Sequence, residues 1–277
     1  MRPRAKTDEN HGRTLFVPTQ TAIFLCNMTI NLRSTLFIIK GDYKIMSIIK
    51  PERKQYSIVL VGAFNPLMFQ PEWFGRNGVI PLEELEIARN SDNVLQTIIT
   101  PQLTQFRISQ LSITVEQNRF QIIAEKEPLL TIKDFAVKTF ENLGGLPINA
   151  YGFNYSAHYQ FNSASDIHTF ADKLTPKQYW SSFLGKNVTG DDRKGGLSSL
   201  QMYQVKENNK GQTSIVLQKS IYFTHGIFLN SNDHTNIDPD DSAAEIVMGE
   251  IEKDFDISFA NMANIQEDLI TEATKDE

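Results

Sequence analysis

At 277 residues with 40% apolar side chains, the chain can hold one large domain or two ordinary ones, and 22% charged residues with 18 phenylalanines exclude a globally disordered polymer. The formal charge is -6, yet residues 1–45 hold seven Lys or Arg against three Asp or Glu, which leaves the remainder near -10. A body with no basic run longer than a pair is poorly equipped to displace phosphate counterions, so no nucleic-acid partner is expected.

The single cysteine, Cys26, cannot close an internal disulfide, and no Cys/His spacing matches a structural zinc site. Thr21 to Ile30 is about half a membrane span and is followed by Arg33. Arg2, Arg4 and Lys6 precede it, but Pro18 and the missing small-residue cleavage site do not fit a secretory signal. The expectation is a cytoplasmic protein with no membrane partner. Residues 1–45 show neither a helical nor a strand period, and they are read as a poorly ordered or non-native extension, with Met46 as the natural start.

From there the elements follow in order. Tyr56 to Gly62 is almost wholly apolar and β-branched, which suits a central strand covered on both faces. Pro71 opens a short helix containing Trp73 and Phe74, and a second helix follows Pro81, with Glu83, Glu84 and Glu86 at its start. Leu111, Ile113 and Val115, then Phe120, Ile122 and Ala124, alternate with mainly polar residues about a Glu116-Gln117-Asn118-Arg119 turn, and they predict a hairpin. Ile132, Phe135, Ala136, Phe140 and Leu143 recur at helical spacing, and Gly144-Gly145 is placed to cap that helix in the left-handed region.

Ile148 to Phe161 predicts the longest strand, with Tyr151, Phe153, Tyr155, Ala157, Tyr159 and Phe161 on one side and Gly152, Asn154, Ser156, His158 and Gln160 on the other. The apolar side is expected to face a core. This succession predicts an α+β fold, with an antiparallel sheet of βαββαβ (ferredoxin-like) order over residues 46–162. A second α+β lobe over residues 163–277 is expected to hold helical stretches at Ser165 to Leu174 and Pro176 to Leu184. A mobile loop at Gly190 to Gly196 and strands at Leu200 to Val205, Thr213 to Lys219 and Ile221 to Leu229 follow. A turn at Glu207 to Gly211 joins the first two strands. Ser242 and Glu245 then form a capping box for a long C-terminal helix, whose face runs through Val247, Ile251, Phe255, Phe259, Met262 and Leu269. The second half echoes the first in strands-then-helix order without a sequence repeat.

Asn230 to Asp241 is dense in oxygen donors, and Asn232, Asp233, His234 and His225 form the candidate polar cluster. Hard cations take such oxygens, but the EF-hand register, with Gly at its sixth position and Glu at its twelfth, is not met; a solvated loop leading into the helix is the competing reading. His225 shares the parity of Ile221, Phe223, Ile227 and Leu229, which also suits a buried, backbone-satisfied histidine. His158 and His168 have no adjacent partner in the sequence. The chain contains no G-x-S-x-G elbow and no phosphate-binding glycine motif. An RNA-stacking platform on the aromatic strand lacks interleaved Lys or Arg. Trp73 and Phe74 are either an exposed partner-binding anchor or a plug for the end of the sheet.

Asn65-Pro66 with Pro71-Glu72-Trp73-Phe74, the Tyr151-Gly152-Phe153-Asn154 strand, and Asn232-Asp233-His234 before the terminal helix together resemble a sporadically occurring, uncharacterised bacterial protein family with no assigned activity. That likeness covers about residues 46 to 270 and implies a bacterial cytoplasmic protein. The expected function is a non-catalytic protein-interaction subunit of a bacterial multiprotein system. It would engage a protein partner or a copy of itself through its acidic surface and terminal helix, with no cofactor. The alternative is a metal-assisted hydrolase in which Asp233, His234, Asp238 and His225 surround a divalent ion.

Overall fold

The computed structural model describes residues 49–90, 97–108, 110–126, 129–185 and 195–275. The expected N-terminal extension, its Met46 start, Cys26 and most of the Gly190 to Gly196 loop lie outside them. The described elements are β1 (Pro51–Gly62), α1 (Pro71–Arg76), α2 (Leu82–Asn90), β2 (Ile98–Ile99), β3 (Leu103–Ile108), β4 (Leu111–Glu116), β5 (Arg119–Ala124) and α3 (Leu130–Glu141). They continue with β6 (Ile148–Gln160), α4 (Ala164–Leu174), a 3-10 turn (Lys177–Trp180), α5 (Ser181–Leu184), β7 (Ser199–Val205), β8 (Gly211–Lys219), β9 (Gly226–Asn236), a second 3-10 turn (Pro239–Asp241) and α6 (Ala244–Thr274). Among the described residues no helix is long and apolar enough to cross a membrane.

The fold is α+β, but the ferredoxin-like order does not hold. All the described strands join one nine-stranded antiparallel sheet in the order β2-β3-β4-β5-β1-β6-β9-β8-β7. Here β3 adds a strand before the predicted hairpin, so a three-stranded meander, in place of a two-stranded hairpin, returns along β5 antiparallel to β1, with Ile58 opposite Ile122. On its other side β1 pairs antiparallel with β6, Ile58 opposite Phe153. Strands from residues 46–162 and from residues 163–277 share this one sheet, joined where β6 pairs with β9, and Ile45–Glu277 forms one compact unit.

The sheet order shows an internal symmetry. β1, then α1 and α2, then the β3-β4-β5 meander, then α3 is matched by β6, then α4 and α5, then β7-β8-β9, then α6. Each first strand lies beside the last strand of its own meander, and the two first strands meet at the centre. The sheet thus has an approximate dyad between β1 and β6.

One sheet face is packed. Tyr151, Phe153, Tyr155 and Tyr159 are each 3% exposed or less, as the alternation on β6 requires. Phe153 meets Phe255 edge to face at 5.9 Å and Phe259 at 5.5 Å, which seats α6 on this wall. In the first half Phe120 packs against Phe69 and Phe140, both at 5.1 Å, beneath α3. Polar atoms carried inward are paired. Gln266 of α6, fully buried, donates to the Tyr155 carbonyl and to Ser231 Oγ, both at 3.0 Å, and accepts from the Tyr159 hydroxyl at 3.2 Å. The Tyr151 hydroxyl donates to Asp254 at 3.0 Å. Burial pushes both phenols well above their ordinary range, so they remain donors.

Several local expectations are corrected. β1 is central, but its outer side passes from buried Ser57 through half-buried Val59 to Val61, 37% exposed, so the second face is covered only in part. α3 ends at Asn142 in right-handed backbone (φ -74°), and Gly144-Gly145 supply no left-handed cap. Ser242 does not cap α6. Its hydroxyl donates to the Pro239 carbonyl at 2.8 Å, while its own carbonyl accepts from Ile148 N–H, and the cap position falls to Ala243. By contrast, Ser163 caps α4 by accepting from Asp166 N–H at 3.1 Å.

Candidate functional site

Asn232, Asp233 and His234 are consecutive on β9, which runs seven residues beyond its predicted end at Leu229; the oxygen-rich stretch is strand through Asn236 rather than loop. Consecutive strand residues face opposite sides. Asp233 points inward, where Ser258 of α6 donates to it, Lys206 Nζ lies 2.6 Å away and Thr213 Oγ1 lies 3.4 Å away. Lys206 Nζ also donates to Thr235 Oγ1 at 2.7 Å. The carboxylate is therefore a tie between the β7–β8 turn, β9 and α6.

His234 faces outward, with Nε2 3.0 Å from Asn236 Oδ1. His225 precedes the opposite end of β9, its carbonyl accepting from Phe161 N–H at 2.7 Å, and nine extended residues put it about 30 Å from His234. Asp238, beyond the strand, pairs with Lys210 at 2.7 Å. The four residues do not converge on one point. Among the described residues no three His, Cys, Asp or Glu side chains are grouped to hold a metal ion.

Of the two aromatic residues on α1, Phe74 occupies the plug position and Trp73 lies at its margin. Phe74 is fully buried between Phe106 and Phe135, at 5.5 and 5.1 Å, and Trp73 lies half-buried against Phe69 at 5.5 Å.

The outer sheet face carries short polar side chains that satisfy one another across strands. Asn232 Nδ2 donates to Asn154 Oδ1 at 2.8 Å, Asn154 Nδ2 donates to Ser57 Oγ at 3.1 Å, and Ser156 Oγ donates to Asn230 Oδ1 at 2.7 Å. Asn232 thus belongs to a ladder spanning β1, β6 and β9, separate from the inward Asp233.

At one end of this ladder stands His158, which has no sequence neighbour to mark it but acquires partners from residues 220–228. Its ring lies 4.7 Å from both Tyr222 and Phe228. Its Nδ1 is 2.9 Å from Ser220 Oγ, which already accepts from Tyr222 N–H and Phe223 N–H. With those lone pairs engaged, the hydroxyl donates to Nδ1, so the neutral imidazole carries its hydrogen on Nε2. Burial, and then the nearby Arg53 charge, lower the His158 pKa from its ordinary value. The unfolded chain consequently takes up this proton first as pH falls through about 6.5, and stability is lost through that window and below it. Urea unfolding midpoints of wild type are expected to fall more between pH 7 and pH 5 than those of His158→Gln; equal slopes would refute the assignment.

A third feature is the β7 edge. Met202, Tyr203 and Val205 are 61%, 67% and 51% exposed, and among the described residues β7 pairs on one side only, with β8. The opposite edge is β2, two residues long. Sequence reading found β7 but not its edge position, since strand order is a long-range property. Compared with models of known protein families and with curated protein sequences, the chain matches none.

Proposed function

We propose that this chain is a non-catalytic protein-interaction subunit that self-associates by pairing β7 with β7 of a second copy. The observation that carries this reading is a seven-residue edge strand, Ser-Leu-Gln-Met-Tyr-Gln-Val, without Lys, Arg, Asp, Glu or Pro. Sheet edges left exposed are ordinarily protected by charge, proline or brevity, and β7 has none of these devices whereas β2 is short. An antiparallel pairing about a two-fold axis places Met202, the central residue, near the axis and brings no like charges together. The apolar face of the terminal helix, Val247, Ile251, Phe255, Phe259 and Met262, is already buried on the sheet, so a contact there would rest on the separate exposed side chains of Ile246, Ile257 and Ile265.

Sedimentation equilibrium tests the reading. Wild type is expected to dimerise at micromolar concentration, and the Met202→Lys, Tyr203→Lys double variant to remain monomeric with an unchanged far-UV circular dichroism spectrum. A wild-type chain that stays monomeric at high micromolar concentration, or a double variant that dimerises equally well, would overturn it.

A further inference from the structure

Beside the β8–β9 turn the outer sheet face forms a cavity of about 560 Å³, within the range of small-molecule sites. Its charge runs against that of the chain. Arg53, Lys54, Lys126 and Lys219 border it together with Glu52 and Glu125, so a protein of formal charge -6 presents a formal excess of two positive charges there. Glu125 is moreover met by Arg107 at 3.9 Å. Cations drawn together in this way favour an anion in the space they border.

The remaining lining is aromatic. Tyr222 is 52% exposed, with the Arg53 guanidinium carbon 3.9 Å above its ring centroid, and the Phe228 ring lies 4.7 Å from that of His158. Gly226 holds the turn in place: a Cβ there would sit 2.6 Å from Phe223 Cβ and 3.0 Å from the Tyr159 carbonyl oxygen. The cavity therefore combines cations, a histidine fixed as an N–H donor, and flat rings against which another ring can lie.

We propose that this cavity binds a nucleoside monophosphate. A phosphate monoester carries about -1.5 to -2 charges at neutral pH, matching the local excess, and its planar base supplies the partner for Tyr222 and Phe228. An arginine held over a tyrosine ring places the phosphate contact beside the surface on which the base would lie.

Isothermal titration of the full chain with AMP, adenosine and inorganic phosphate separates the contributions. AMP is expected to bind one per chain, with adenosine and phosphate each at least about tenfold weaker, since each forfeits one class of contact. Arg53→Gln is expected to weaken AMP by about tenfold or more while leaving adenosine unchanged, as the loss of a charge-assisted pair requires. Tyr222→Ala is expected to weaken AMP and adenosine alike. If Arg53→Gln does not fold, the Lys126→Gln, Lys219→Gln double variant provides the same readout. Absence of AMP binding, AMP no tighter than phosphate or than adenosine, or AMP affinity undiminished by loss of the cations would each overturn the proposal.

Discussion

Phe153→Ala is expected to destabilise the protein by about 3–5 kcal/mol, the cost of deleting a buried aromatic side chain and leaving a cavity. Phe153 is 1% exposed and sits at the centre of the sheet, where β6 is flanked by β1 and β9. Its ring meets Tyr151 at 5.6 Å along the strand, and Phe255 and Phe259 on α6. Neighbours on a nine-stranded sheet and a 31-residue helix are held by many other contacts, so they cannot collapse into the space. In a chain of this size the thermal midpoint is expected to fall by about 10 °C. Phe183→Ala, at a side chain 82% exposed, provides the control and is expected to change stability by about 0.5 kcal/mol or less. A Phe153→Ala midpoint within about 3 °C of wild type would mean that the wall does not anchor α6.

The same wall explains why part of the fold is legible before any coordinates. Strict alternation from Tyr151 to Tyr159 follows from one sheet face being dry and the other polar, and the Val247 to Met262 face of α6 is its counterpart. The signal fails where buried positions are polar. On β9 the inward residues beyond Leu229 are Ser231, Asp233 and Thr235, and they are satisfied by Gln266, Ser258 and Lys206 from elsewhere in the chain. A run with polar residues on both faces reads as loop, so the strand is placed too short and Asp233 and His234 look like one cluster. β3 alternates as well, with Thr104, Phe106 and Ile108 inward and Gln105 and Arg107 outward, but only the two strands about the Glu116 to Arg119 turn are predicted there; Thr104, fully buried, donates to the Pro66 carbonyl at 2.7 Å. His158 lies beyond local reading altogether, because its partner Ser220 is 62 residues away.

Gly211→Ala is expected to be comparably severe through the backbone. The turn from β7 into β8 is legible in Glu207-Asn208-Asn209-Lys210-Gly211, and Asn209 takes the left-handed conformation (φ 57°) that asparagine tolerates. Gly211 lies at φ 154°, and a Cβ there would stand 2.0 Å from the His234 carbonyl oxygen, an atom fixed in the β8–β9 ladder. No rotamer relieves a clash made by Cβ itself. Either β8 separates from β9 at Thr235 or the turn is rebuilt, and both weaken the tie that Lys206, at the start of this turn, makes to Asp233. Backbone strain of about 1–3 kcal/mol and a similar overpacking cost together predict a loss of roughly 2–6 kcal/mol. Gly145→Ala, where an added Cβ meets nothing within 4 Å and φ is not positive, is the matched control and is expected to be nearly neutral. Hydrogen exchange distinguishes the local effect from global loss: β7 and β8 amides are expected to lose protection in Gly211→Ala while β3 to β5 retain theirs. Uniform protection at wild-type level would show that the turn accepts a side chain after all.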